Sequence, residues 1–399
     1  MRKNKIIAIS GEPVTGKGTT VEALKQNFEE QGYIVHVVSA GHEFRKYFNA
    51  IAEFIRNYKD IEKAKELSKD SYLKELFEIK EYREVLINTI SELEKNNIDS
   101  SNLTIEQANN LKEFSDLRRI VDTIIDEGIR KLGEKINSEE RPNEVWLVDS
   151  RLAFHNIPGA LSVRLVSTPE VAAQRLFNDQ NRGKEDNKYK NVQEAFKARE
   201  KRRIGEEERY EKRYGVKLSD EDNYNLIIDT SYSSIDDISD TILKCLDCYT
   251  KGKPFAKKWT NPKVLLPLQG ERLTLGEGES EYNFEQLEEF IKQNGYLPDS
   301  TVEIIEVDGY RYIINGHHRN FAVAHIKKTL VPYKIIAKDD ERLPIEYRGN
   351  QNETARERAK TIRRGDLYGH EWFIREDFSY EEVYPGIYNK LKEMEEEQR

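Results

Sequence analysis

AISGEPVTGKGTTVEAL, residues 8 to 24, joins an apolar run to a helical pattern through a glycine-containing loop. Gly11, Gly16 and Lys17 fit the pattern G-x-x-x-x-G-K, which binds phosphate when a strand precedes it and a helix follows it. Glycines let backbone N–H groups point inward, and the helix N-terminus adds positive charge. The Lys17 ammonium is expected to bridge the β- and γ-phosphates of a nucleotide. The stretch therefore predicts a phosphate-binding loop.

Short apolar runs alternate with longer helical patterns through the first 250 residues. Such runs are typical of strands that are buried on both faces, and they occur at residues 5–10, 33–39, 145–150, 161–167 and 226–231. The alternation predicts an α/β fold with a parallel sheet flanked by helices. Between the second and third runs, Glu, Lys, Leu and Ile dominate and turn residues are scarce. We therefore expect a helical insertion at about residues 48–140.

Composition limits the kind of protein. The 399 residues exceed what one core holds, and 34% of them are charged, with a net charge of −9. A negative chain has no general attraction to nucleic acid or to an anionic membrane surface. No apolar run reaches the roughly 20 residues that span a bilayer. Cys245 and Cys248 form one C-x-x-C step, too few for a zinc ribbon, and fit a reducing compartment. We expect a cytoplasmic protein without a membrane partner.

The sequence pattern of the chain changes near residue 250. Glycine, proline and lysine interrupt the helical periodicity of YTKGKPFAKKWTNPK, residues 249–263. Beyond it, the patterns predict a helix near 284–294, strands near 301–306, 310–314 and 331–337, and a helix near 319–327. We therefore predict a first domain at 1–250, a linker at 251–262, a smaller α+β domain at 263–340 and a helical C-terminal extension at 341–399.

Several segments after the phosphate loop resemble one enzyme family. In order, they are G-K-G-T at 16–19, VSAGHEFRKY at 38–47, VDSRLAFH at 148–155, RLVSTPEVAAQRL at 164–176, KAREKRRIGEEERYEKRYGV at 197–216 and YNLIIDTS at 224–231. This succession resembles the archaeal-type cytidylate kinases, which are nucleoside monophosphate kinases. The resemblance implies a P-loop kinase with a lid at about 180–214. It also implies Mg²⁺, ATP as phosphate donor and an acceptor such as CMP or dCMP.

The resemblance assigns roles to individual residues. It implies a donor-binding loop at Gly11, Thr15, Gly16, Lys17, Gly18, Thr19 and Thr20. The acceptor monophosphate is expected at Ser39, Gly41 and Arg45. Mg²⁺ is expected near Thr19 and Asp149, in part through water. The charges that stabilise phosphoryl transfer are expected from Lys17, Asp149, Arg151, Arg199, Arg203 and Arg209.

Three positions depart from the kinase pattern. His42 stands where the related kinases usually have an acid, Ser150 replaces the glycine of D-G-R, and Val14 replaces a loop glycine. The helical insertion is also larger than the cytidylate pattern requires. Two hypotheses therefore stay open for the first domain: a kinase for CMP-like nucleotides, and a kinase for another small-molecule or modified-nucleotide acceptor.

The second domain carries its own glycine turn. YIINGHHRNFAVAHIKKTLVPYKII, residues 312–336, resembles the ParB and sulfiredoxin-like fold, in which such a turn opens a helix and binds nucleotide phosphates. Members bind or hydrolyse CTP, and others phosphorylate free serine. The resemblance implies a phosphate site at Gly316, His317, His318 and Arg319 for a second nucleotide or phosphorylated metabolite. The turn as a simple helix cap stays an alternative, as does a nucleotide-gated protein that binds DNA or a partner.

Overall fold

The chain folds into two compact units. The computed structural model describes residues 4–99, 111–179, 189–267 and 284–360. Clustering of the chain separates a unit of residues 3–162 and 169–223, the P-loop unit, from a unit of residues 1–2, 163–168 and 224–399, the C-terminal unit. Each unit is built around its own strands and helices.

The P-loop unit contains three parallel strands in the order β2-β3-β1. They are β1 (Lys5–Gly11), β2 (Ile34–Ser39) and β3 (Glu144–Asp149). In the register of the sheet, Asp149 lies beside both Ile9 and Ser39. The carboxyl ends of these strands therefore meet at one edge, where ligands bind in open α/β sheets.

Helices make up the rest of the P-loop unit. They are α1 (Lys17–Glu30), α2 (Ala40–Asn57), α3 (Ile61–Leu67), α4 (Ser71–Glu78), α5 (Lys80–Lys95), α6 (Ser115–Ser138), α7 (Ala153–Asn156), α8 (Pro169–Asn178) and α9 (Val192–Tyr214), with a 3-10 helix at Lys112–Phe114. Helices α2, α4, α5 and α6 bury an apolar core that includes Phe48, Leu76 and Phe114. Apolar residues three or four positions apart form these faces, so the described part of the predicted insertion is helical.

The C-terminal unit contains a mixed sheet in the order β4-β5-β6-β10-β8-β9-β7. Its strands are β4 (Leu161–Val166, of which residues 163–166 belong to this unit), β5 (Leu226–Asp229), β6 (Lys258–Thr260), β7 (Leu265–Pro267), β8 (Val302–Val307), β9 (Tyr310–Asn315) and β10 (Val331–Lys338). Four neighbouring pairs are parallel, and β6/β10 and β8/β9 are antiparallel. The fold is thus mixed α/β with a mostly parallel set of strands.

The helices of the C-terminal unit follow the predicted order. They are α10 (Ile235–Lys251), α11 (Phe284–Asn294), α12 (His317–His325) and α13 (Ala355–Ala359). Short 3-10 helices lie at Pro262–Val264 and Ile345–Tyr347. Both cysteines lie on α10 as free thiols. Among the described residues, no helix is long and apolar enough to cross a membrane.

The predicted linker at 251–262 contains β6, which pairs with β5 and with β10. The domain boundaries stay a prediction. Residues 180–188 of the predicted lid and 361–399 of the predicted extension lie outside the described part of the chain.

Candidate functional site

The phosphate loop joins β1 to α1 within five residues. Gly16 is the N-cap of α1 at a φ of 82° and a ψ of 18°, and no side chain caps the helix. The first N–H groups of α1 are therefore open to an anion. Val14 has a φ of 67°, a left-handed conformation that glycine adopts without strain. The loop thus keeps the glycine-type backbone at the position where the sequence departs from the kinase pattern.

Lys17 lies against the carbonyls of its own loop. Its Nζ donates hydrogen bonds to the Gly11 oxygen at 2.9 Å and the Glu12 oxygen at 3.0 Å. Burial and the charge of Arg151 lower the pKa of Lys17 to about 7, although Asp149 and Glu206 act in the opposite direction. The charges of Arg151, Asp149 and Glu206 therefore act on Lys17 at the loop. Lys17, Arg151 and Asp149 were predicted as site residues, and Glu206 was not.

Oxygen atoms gather where the strands of the P-loop unit end. Ser39 Oγ donates to Asp149 Oδ2 at 3.3 Å and caps α2 by accepting the N–H of His42 at 3.4 Å. Ser10 Oγ donates to the carbonyl of Ser150 at 2.9 Å. Thr19 lies in the first turn of α1 and is exposed. Hydroxyl and carboxylate oxygens are the ligands that Mg²⁺ prefers, so Thr19 and Asp149 fit that ion.

The predicted acceptor residues lie at the start of α2. Gly41 and Arg45 are both exposed, and a Cβ added at Gly41 would lie 3.8 Å from the Arg45 guanidinium. They are neighbours because residues four apart share a helix face. Arg45 is thus exposed to solvent.

Two predicted arginines of α9 are held by carboxylates. Arg199, whose side chain is 1% exposed, pairs with Glu12 of the phosphate loop at 2.5 Å and also with Glu200. Arg203 pairs with Glu200 at 3.0 Å. A buried ion pair of this kind costs several kcal/mol when one partner is removed. Arg199 therefore ties α9 to the phosphate loop.

Arg151 is held by α9 as well. Its Nη2 lies 2.9 Å from Glu206 Oε2, and Arg202 Nε lies 3.0 Å from the other oxygen, Oε1. The side chains of Arg151 and Glu206 are 16% and 13% exposed. Sequence reasoning missed Glu206 because it treated the glutamates of α9 as surface partners of the neighbouring arginines. It missed Glu12 because that residue is 187 positions from Arg199 in the sequence.

Arg209 faces a second cluster, between α9 and α6. Its guanidinium lies 5.2 Å from the centre of the Tyr210 ring. Nearby, Tyr214 donates to Asp126 at 2.5 Å, and Arg213 lies 3.8 Å from Asp122. Burial raises the pKa of Asp122 to about 6, against the opposing charge of Arg209. This cluster was not anticipated from the sequence.

The glycine turn of the C-terminal unit repeats the helix start of the phosphate loop. Gly316 is the N-cap of α12 at a φ of 93°, again without a side-chain cap. Arg319 folds back over it, since a Cβ at Gly316 would lie 2.9 Å from the guanidinium, and its Nη1 donates to Ser300 Oγ at 2.9 Å. His317 is buried and His318 is partly buried in the first turn. The turn thus places the Arg319 guanidinium over the helix start.

One protein of known activity matches more than half of the chain. A cytidylate kinase from Methanocella arvoryzae is 30% identical over 245 residues, which are 61% of this chain and 97% of that protein. The chain belongs to the cytidylate kinase family.

Other comparisons cover less or are weaker. An S-adenosylmethionine-dependent nucleotide dehydratase from Lacinutrix mariniflava is 31% identical over 114 residues, which are 29% of this chain and only 22% of that protein. An uncharacterized protein from Eubacterium ventriosum, known from its crystal structure, is 16% identical and matches 61% of this chain and 99% of its own at a TM-score of 0.32. No family model matches the chain.

Proposed function

We propose that residues 1–250 form an ATP- and Mg²⁺-dependent kinase that phosphorylates a nucleoside monophosphate, with CMP or dCMP as the acceptor. The observation that supports this most is the neighbourhood of Lys17. An uncapped helix start, an ammonium, the Asp149 carboxylate and the Arg151 guanidinium act on one another there. Phosphoryl transfer depends on positioning and on charge stabilisation more than on covalent chemistry, and these groups would contribute to both.

The donor phosphates are assigned to the loop of Gly11, Thr15, Gly16, Lys17, Gly18, Thr19 and Thr20. Backbone N–H groups at the start of α1 bind the phosphate oxygens, and Lys17 moves its hydrogen bonds from the loop carbonyls to the β- and γ-phosphates. Thr19 and Asp149 would hold Mg²⁺, partly through water, and the metal would supply neutralising charge to the phosphates. The charge on the transferring phosphoryl group would be stabilised, once water is excluded, by four arginines: Arg151, Arg199, Arg203 and Arg209.

The acceptor phosphate is assigned to Ser39, Gly41 and Arg45. Two departures from the kinase pattern do not oppose the proposal. Ser150 is buried, and its Oγ accepts the N–H of Leu152 at 3.3 Å, so its hydroxyl is used within its own turn. Val14 keeps the left-handed backbone of a glycine. His42 is exposed at the start of α2 and is the departure that bears most on the choice of acceptor.

A panel of acceptors tests this proposal. The full chain is incubated with Mg²⁺ and [γ-³²P]ATP together with CMP, dCMP, UMP, AMP, dTMP or free serine. We expect transfer to CMP or dCMP to exceed transfer to the other acceptors. Transfer to a different compound shows an altered acceptor, and ATP turnover without any labelled acceptor supports a nucleotide-gated binding protein instead.

The C-terminal unit has a second candidate function, which the geometry of Gly316 favours. We propose that residues 263–340 bind a nucleotide or a phosphorylated metabolite through Gly316, His317, His318 and Arg319. An uncapped helix start with a guanidinium folded over it provides N–H donors and a charge for one phosphate group. Arg319 is held by a neutral hydroxyl, so a phosphate can take it over without breaking an ion pair. The ParB and sulfiredoxin-like identity of this region belongs to the same proposal.

A further inference from the structure

Glu206 is a largely buried carboxylate beside the cations of the phosphate loop. Each of its oxygens pairs with a different arginine: Oε2 with Arg151 at 2.9 Å, and Oε1 with Arg202 at 3.0 Å. Arg202 lies one turn earlier on the same helix and is 56% exposed, whereas Arg151 comes from the loop after β3. Glu206 thus links helix α9 to the loop after β3.

The two ion pairs of Glu206 differ in strength. The bond to Arg202 is an ordinary helix-surface contact between residues four apart, which contributes only a few tenths of a kcal/mol. The bond to Arg151 is shielded from water, where a charge-assisted contact is stronger and fixes geometry. Burial raises the pKa of Glu206, but Arg151 and Arg202 outweigh it and hold that pKa below its ordinary value. Glu206 is therefore an anion at neutral pH.

Arg151 lies beside the start of the phosphate loop, because its carbonyl accepts the hydroxyl of Ser10 at 3.3 Å and Ser10 directly precedes Gly11. A guanidinium with several rotatable bonds would turn toward water unless a partner holds it. We propose that Glu206 is a positioning residue of the kinase site, which holds the Arg151 guanidinium at the phosphate loop in the orientation that meets the transferring phosphoryl group. This inference rests on the proposed kinase function.

Steady-state kinetics of Glu206→Gln test the role. The amide keeps the shape but not the charge, so Arg151 loses its orientation while the binding loop is unchanged. We expect kcat to fall by about 10- to 100-fold with the KM values for ATP and acceptor changed less than about threefold, because misplacement costs transfer rather than binding. Glu208→Gln, an exposed glutamate two residues along α9, is the matched control and should resemble the parent.

Glu206→Asp keeps the charge on a shorter side chain and should recover part of kcat. A kcat of Glu206→Gln within threefold of the parent, or a change confined to KM, would overturn the proposal. A melting temperature of each variant shows whether it is folded.

A second measurement does not depend on activity. Phenylglyoxal modifies arginine side chains, and peptide mass spectrometry gives the rate at Arg151. We expect Arg151 to react at least about fivefold faster in Glu206→Gln than in the parent or in Glu208→Gln, because its guanidinium is released. Equal rates at Arg151 in all three proteins would overturn the inference. If the parent transfers phosphate to no acceptor, the proposed kinase function fails, while these rates still decide whether Glu206 holds Arg151.

Discussion

Two helices of this protein begin in the same way and lie in different charge environments. Helix α1 starts after Gly16 at a φ of 82°, and α12 starts after Gly316 at a φ of 93°, and neither has a side-chain cap. Around the first, the arginines are paired with carboxylates, as Arg151 is with Glu206. At the second, Arg319 is paired with the hydroxyl of Ser300. We expect both glycine-started helices to bind phosphate, and only the one surrounded by ion-paired arginines to support transfer.

Replacing Lys17 with alanine should distinguish the helix start at Gly16 from the one at Gly316 most strongly. The ammonium is the charge that follows the phosphate from donor to acceptor, so we expect transfer to fall by at least about 100-fold with the fold intact. Lys25→Ala is the control, since this residue lies on α1 with loose surface pairs at 3.9 Å. Transfer by Lys17→Ala within tenfold of the parent would contradict the assignment of the loop.

Replacing Arg45 with alanine should affect the acceptor alone. Loss of a charge-assisted phosphate contact costs on the order of 1.5–3 kcal/mol, so the acceptor KM should rise about 10- to 100-fold with little change for ATP. Arg56→Ala, an exposed arginine in the last turn of the same helix, provides the comparison. An equal rise for ATP, or none for the acceptor, would remove Arg45 from the acceptor site.

Replacing Arg319 with alanine should weaken phosphate binding in the C-terminal unit by about tenfold, which corresponds to about 1.4 kcal/mol. Calorimetry of the full chain with ATP, ADP, CTP and CDP measures it, in a Lys17→Ala background so that no phosphate is transferred during the titration. Arg319→Lys should lie between, because it keeps the charge without the planar fork. If Arg319→Ala binds as the parent does, the turn is a helix cap.

The smallest expected effect concerns the carboxylates of the P-loop unit. The pKa of Asp122 is about 6 in the fold against 3.8 for the free group, so its contribution to stability is present at low pH and lost as pH rises through 6. Asp122→Asn should therefore gain about 1 kcal/mol relative to the parent between pH 4.5 and pH 8. Chemical denaturation at both values tests this. Asp116→Asn, 62% exposed on the same helix, should show no such difference.

Local patterns predicted much of this molecule. The runs of apolar residues predicted eight of the ten described strands in order, because buried strands need little but hydrophobicity and β-branched side chains. They missed β6 and β7, which have three residues each. Burial of β2 on both faces was wrong, since Ile34 and Val37 are 59% and 44% exposed. The sequence also predicted a glycine turn before a helix at Gly16 and at Gly316, and both glycines have a left-handed backbone at a helix start. That these turns bind phosphate stays a prediction.

Long-range ion pairs were not predictable in this way. Glu12 and Arg199 are 187 residues apart and form a buried pair. Nothing in a single sequence distinguishes Glu206 from its exposed neighbour Glu208, because the helix turns one toward Arg151 and the other toward solvent. The partner of a charge depends on the packing of α9, which local periodicity does not determine.

The most direct test of the kinase assignment follows both nucleotides at once by ³¹P nuclear magnetic resonance. The full chain is mixed with Mg²⁺, ATP and CMP in equal amounts, and the signals of ADP, CDP and free phosphate are recorded with time. We predict that ADP and CDP appear together in equal amounts, with no free phosphate, and that Lys17→Ala produces neither. Release of free phosphate without CDP, or no consumption of ATP with any acceptor of the panel, would contradict the account.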